Sequence, residues 1–103
     1  MPEATQHLYR LQPTRIDMLE TGPTAREGAI IEEHFAYLQR LCGERLVLLA
    51  GRTLTEDADA FGIVILNADE TRARALMEAD PAVRGGVMTA TLFPFKVALP
   101  AGF

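Results

Sequence analysis

Two short apolar runs near the middle of the chain, LVLLAGR (46–52) and FGIVIL (61–66), constrain the fold more than any other feature. In an extended strand successive side chains point to opposite faces. Val47 and Leu49 therefore alternate with Leu46 and Leu48, and Phe61, Ile63 and Ile65 alternate with Val64 and Leu66. Both faces of each run come out apolar. The intervening TLTEDADA is polar and acidic, which fits a hairpin connection better than a crossover helix. Such a hairpin must be covered on both sides.

The flanking segments supply helices and further strands. Thr24 followed by Glu27 forms a T-x-x-E capping box, and the helix it starts runs over Glu27–Gly43, with Gly43 as its left-handed stop. Asn67 with Glu70 offers a second box before TRARALMEA, whose buried side is Ala73, Leu76 and Met77. Asp80-Pro81 ends that helix, since the residue before proline is pushed out of the α region, and Gly85-Gly86 breaks the chain again. At the N-terminus, HLYRLQPTR (7–15) reads as a strand of about five to eight residues ending near Pro13. The segment 16–23 is a connection. The last strand spans Val87–Leu99, with Val87, Thr89, Thr91, Phe93, Phe95, Val97 and Leu99 on one face and Pro94 marking an edge or a bulge.

This order, β-α-β-β-α-β over a single domain of residues 1–103, predicts an α+β ferredoxin-like fold with a four-stranded antiparallel sheet. Two helices cover one face of such a sheet. The other face, apolar as well, predicts a homodimer packed sheet to sheet, because a monomer would expose too large an apolar patch.

Charge and cysteine usage narrow the function classes. The net charge is −4, with nine Arg, one Lys and no basic cluster, so a nucleic-acid partner is not expected. MPEATQHLYR has neither a basic nor an apolar leader region and the longest apolar runs are strand-sized, so no membrane association is expected. One cysteine, Cys42, forms no internal disulfide and no thiolate cluster for zinc, and a cytoplasmic setting follows. Lying at a helix C-terminus, where the dipole disfavours a thiolate, it reads as a small core residue. Glu56, Asp57 and Asp59 lack a calcium-loop pattern and read as a polar hairpin loop. No glycine-rich phosphate loop is present. Neither a metal nor a cofactor is expected.

The first helix carries the candidate chemistry. At about 100° per residue, Ile30, Ile31, His34, Phe35, Tyr37, Leu38, Leu41 and Cys42 share one side, which places an imidazole on a core-facing stripe. Burying it without a partner would cost roughly 1–3 kcal/mol. Asp80, pinned by Pro81, is the best candidate partner: a carboxylate accepting from one ring nitrogen orients the ring, fixes its tautomer and raises the basicity of the other nitrogen. The competing reading is a core histidine satisfied by a backbone carbonyl. Tyr37, one turn away, is a candidate for lining a pocket, and Arg52 for holding an anionic substrate group. His7 reads as exposed and frayed.

Taken together, His34-Phe35-Ala36-Tyr37-Leu38, Ala50-Gly51-Arg52-Thr53-Leu54, Phe61-Gly62-Ile63-Val64-Ile65, Glu78-Ala79-Asp80-Pro81 and Leu92-Phe93-Pro94-Phe95 resemble the YciI-like (YCII-related) family in order and spacing. The resemblance covers about Arg26 to Leu99. It implies a ferredoxin-like protomer in a dimeric α/β barrel, and a His–Asp pair as the active centre, mapping onto His34 and Asp80. It also implies cofactor-independent proton transfer of the kind used to dehydrochlorinate hydroxyquinols or isomerise muconolactones. Two departures stand out: Ala82 follows Asp80-Pro81 where the family often has an aromatic residue, and the stretch to Pro23 matches less well. Two function classes remain open on the sequence. One is a lyase or isomerase acting on a small aromatic-derived or carbonyl metabolite, and the other is a non-catalytic dimeric module that binds a metabolite or partner.

Overall fold

A computed structural model describes residues 5–100. Strand β1 (Gln6–Pro13) is followed by a short helix α1 (Asp17–Thr21), the long helix α2 (Ala25–Gly43), and strands β2 (Val47–Arg52) and β3 (Gly62–Leu66). Helix α3 (Glu70–Ala79), the single turn α4 (Pro81–Arg84) and strand β4 (Met88–Phe95) complete the order. The sheet is antiparallel throughout, in the order β2-β3-β1-β4. This is the ferredoxin-like α+β arrangement.

Register sorts the side chains onto two faces. Tyr9 opposes Val64 and Leu92, and Leu11 opposes Gly62 and Ala90, on the face that the helices cover. There Tyr9, Leu11, Val64 and Leu66 pack with Leu38 and Leu41 of α2 and with Ala73 and Met77 of α3. Each large apolar side chain buried in this layer contributes about 1.5–3 kcal/mol. On the other face, Leu8 stands between Ile65 and Phe93, and Arg10 between Ile63 and Thr91. Phe93 keeps 40% of its surface exposed there. A one-residue slip in β1 would exchange these two sets, so core burial fixes the register. β4 is an edge strand, which accommodates Pro94. β2 is the other edge, with a bulge between Val47 and Leu49.

The ends of the elements depart from the sequence expectations in instructive ways. The Thr24–Glu27 capping box forms as expected. The C-terminal stop, however, is Arg45 at φ 61°, and Gly43 stays inside the helix. Arg45 N–H donates to Cys42 O and Leu46 N–H to Leu41 O, the paired bonds of a Schellman ending, and these together with Leu46 packing on the core stand in for glycine's conformational freedom. At α3 the cap is Asp69, whose side chain accepts from Arg72 N–H, two residues later than the Asn67 expectation. The 16–23 connection contains α1, and β4 stops at Phe95, so Val97 and Leu99 lie beyond it.

The apolar stripe of α2 is narrower than the helical wheel suggests. His34, Leu38 and Leu41 are buried, Ile30, Ile31 and Tyr37 are half-buried, and Phe35 is 61% exposed. Cys42 is exposed too, not a core residue, because the helix turns that edge away from the sheet. Among the described residues, no helix is long and apolar enough to cross a membrane.

Candidate functional site

The site is assembled from three elements that meet under α2. Asp80 joins α3 to α4, with φ −61° and ψ 124°, the extended geometry required of a residue before proline. That geometry turns its side chain back onto the start of α4, where Oδ1 accepts from Ala82 N–H at 2.9 Å. Asp at the cap with Pro at the first helical position is a favoured helix start. Here the cap is entirely buried, with 0% of Asp80 exposed.

His34, near the middle of α2, donates from Nδ1 to Asp80 Oδ1 at 2.6 Å. Tyr9, near the middle of β1 and also fully buried, donates from its hydroxyl to Asp80 Oδ2 at 2.8 Å. The carboxylate thus collects three donors from three chain segments far apart in sequence. A buried carboxylate carries a large desolvation penalty, and charge-assisted bonds of about 1.5–3 kcal/mol each offset it. Burial first, and then the Asp80 charge, push the Tyr9 hydroxyl far above its ordinary ionisation range, so it remains a donor.

The hydrogen-bond pattern also assigns the tautomer of His34. An acceptor on Nδ1 places the proton there, which leaves Nε2 of the neutral ring with a free lone pair. Among the described residues no buried side-chain nitrogen or oxygen lacks a partner. Since Nδ1 carries the ring's hydrogen bond and the side chain keeps 11% of its surface, Nε2 is the atom that meets solvent. The arrangement is that of an oriented imidazole: Nδ1 is fixed by a buried carboxylate, and Nε2 is left without a protein partner among the described residues.

The other sequence candidates lie outside this network. Tyr37 gives its hydroxyl to Leu76 O at 2.7 Å and ties α2 to α3, while Arg40 stacks over its ring at 5.3 Å. Burial, and secondarily the Asp80 charge, raise its ionisation point. Arg52 is exposed at the end of β2, opposite Gly62, and borders a hollow of about 290 Å³ with Leu49, Phe61 and Ile63. His7 contradicts its expectation. It is only 3% exposed, and its Nδ1 bonds Ala68 O at 2.9 Å, because the pairing of β1 with both β3 and β4 leaves no frayed end there. Tyr9 was not singled out by the sequence. Its one signal was the alternation His7-Tyr9-Leu11, which puts a hydroxyl on the same sheet face as the core.

Fold and site together define a small ferredoxin-like α+β protein with a buried His–Asp pair beneath its first long helix. A family model for the YCII-related domain matches residues 9–96, and the chain belongs to that family. No curated protein matches the sequence. Among solved structures, the chain is similar to 5-chloro-2-hydroxyhydroquinone dehydrochlorinase (TftG) from Burkholderia phenoliruptrix, in complex with 2,5-dihydroxybenzoquinone. The two share 18% identity over 87% of this chain and 93% of that one, with a TM-score of 0.62. At that identity the likeness establishes the fold.

Proposed function

We propose that the protein is a cofactor-independent lyase or isomerase in which His34 moves a proton and Asp80 orients it. The observation that carries this reading is the 2.6 Å bond from His34 Nδ1 to Asp80, which leaves Nε2 as the accessible nitrogen. A substrate O–H or C–H made acidic by a neighbouring carbonyl or aromatic ring would give its proton to Nε2. The electron pair released from that bond expels a leaving group in an elimination, or shifts a double bond in an isomerisation. The imidazolium then returns its proton to the departing group or to a new carbon, and Asp80 stabilises the transient cation. Small hydroxylated ring compounds suit this chemistry, and the similar dehydrochlorinase is named for one.

The test uses 5-chloro-2-hydroxyhydroquinone with chloride release as readout, alongside unsaturated lactones followed by deuterium uptake from D2O. Turnover of either should fall about 10²–10⁴-fold in His34→Gln. Undiminished turnover in that variant removes His34 from the mechanism. Binding of these compounds without turnover in either protein favours the non-catalytic module.

The same reading includes a homodimer formed through the uncovered sheet face and a cytoplasmic setting. The support for the dimer is that Leu48, Phe93 and Phe95 are exposed on or beside that face. A groove of about 750 Å³ lined by Leu48, Leu49, Ile65 and Phe95 runs between the sheet and residues 96–100. Light scattering should return twice the 11.3 kDa chain mass at micromolar concentration. The chain mass itself in that measurement rejects the dimer.

A further inference from the structure

The polar network under α2 contains one member that the proposed chemistry does not use. Tyr9 is the largest fully buried side chain among the described residues, and a phenylalanine would fill its place in the core without bringing a polar atom. Its hydroxyl is spent on Asp80 Oδ2 at 2.8 Å, the oxygen that neither His34 nor the α4 backbone touches. The two carboxylate oxygens are therefore served from opposite sides: helix donors hold Oδ1 and the sheet holds Oδ2.

We infer that Tyr9 is a positioning residue that sets the basicity of His34 by taking up part of the negative charge of Asp80. The inference rests on the reading of His34 as the working base, but the coupling it asserts is a property of the resting protein. A hydrogen bond to Oδ2 draws charge away from the carboxylate and lessens its stabilisation of the imidazolium across Oδ1. It also prevents the carboxylate from rotating, which keeps the His34 ring in one orientation. The remaining titratable groups around the pair are few. Tyr37 lies one turn along α2 and is engaged with Leu76 O, and Glu27, two turns back, is bonded to Arg15. On β1, His7 is bonded to Ala68 O. The residues of β3 and β4 on the covered face are apolar.

The experiment is an NMR titration of the His34 ring in the full chain. Only two histidines and two tyrosines are present, so His7→Gln assigns the His34 signal and Tyr37→Phe isolates Tyr9. In Tyr9→Phe the midpoint of His34 should rise by roughly half a unit to one unit. Incorporating 3-fluorotyrosine in the Tyr37→Phe background keeps the core filled and makes position 9 a stronger donor, so the midpoint should fall. Opposite shifts in the two proteins support the inference. A midpoint within about 0.2 units of the parent in the fluorotyrosine protein overturns it, whether or not Tyr9→Phe folds, and reduces Tyr9 to a structural role. Neither titration needs a substrate. Loss of the proposed activity for His34 would therefore leave the coupling standing, and loss of the coupling would leave that activity standing.

Discussion

Two histidines are buried in this small core, and their surroundings could hardly differ more. His7, on β1, gives its Nδ1 bond to a backbone carbonyl, Ala68 O, at 2.9 Å. His34, on α2, bonds a buried carboxylate at 2.6 Å, and that carboxylate is itself held by Tyr9 and by the α4 backbone. A carbonyl satisfies a ring nitrogen and does little more. A carboxylate held on both oxygens also fixes the ring's orientation and tautomer, and the proposed role of His34 as a base rests on that difference. Burial of a histidine therefore says nothing about chemistry until its partner is known.

The comparison is most exposed to failure at Asp80. Asp80→Ala would leave the Tyr9 hydroxyl, the Ala82 N–H and the His34 ring without their acceptor inside the core. A loss of about 3–5 kcal/mol in urea-unfolding free energy is expected. A loss below about 1 kcal/mol would mean that the carboxylate does not organise this region. The matching change at the other site is His7→Leu, which strands only Ala68 O. It should cost about 1–3 kcal/mol while leaving the His34 midpoint and any turnover where they were. Movement of that midpoint would show that the two sites are not separate.

The smallest effect is a pH dependence confined to the start of α2. Glu27 accepts from Arg15 Nη2 at 2.6 Å, Arg15 Nε at 3.0 Å and Thr24 N–H at 2.8 Å. The Arg15 bonds first, and then the Thr24 N–H, hold its carboxyl down at about 2. A carboxyl depressed in the folded state adds stability above its ordinary ionisation range, and that stability is lost as pH falls from there toward 2. Melting temperatures of the parent and Glu27→Gln should therefore converge between pH 4.5 and 2. A gap that stays constant across that window would show that the pair contributes no acid sensitivity.

Much of the architecture was legible along the chain. The Thr24–Glu27 box, the Asp80-Pro81 break, Pro94 on an edge and the two-sided apolar hairpin each follow from short-range sterics and period, and each recurs in the fold. Errors cluster where local rules permit neighbouring solutions. Asp69 and Asn67 are both competent caps, and the helix starts from Asp69 while Asn67 N–H is engaged with Leu46 O beside β2. Phe35 and Cys42 sit at the margin of a helical stripe, whose width is set by how the helix leans on the sheet.

For the site the division is sharper. The sequence determined that His34 would stand on the inner side of a helix and that Asp80 would be fixed in direction by Pro81, because both depend on backbone geometry within a few residues. Only the tertiary structure decided that the two would meet across 46 positions, and that Tyr9, 71 positions from Asp80, would take the carboxylate's second oxygen. Contacts at such separations depend on strand order and on the seating of α2 over the sheet, which no local pattern encodes. The same long-range packing turned His7 from a residue expected at a frayed end into a buried one.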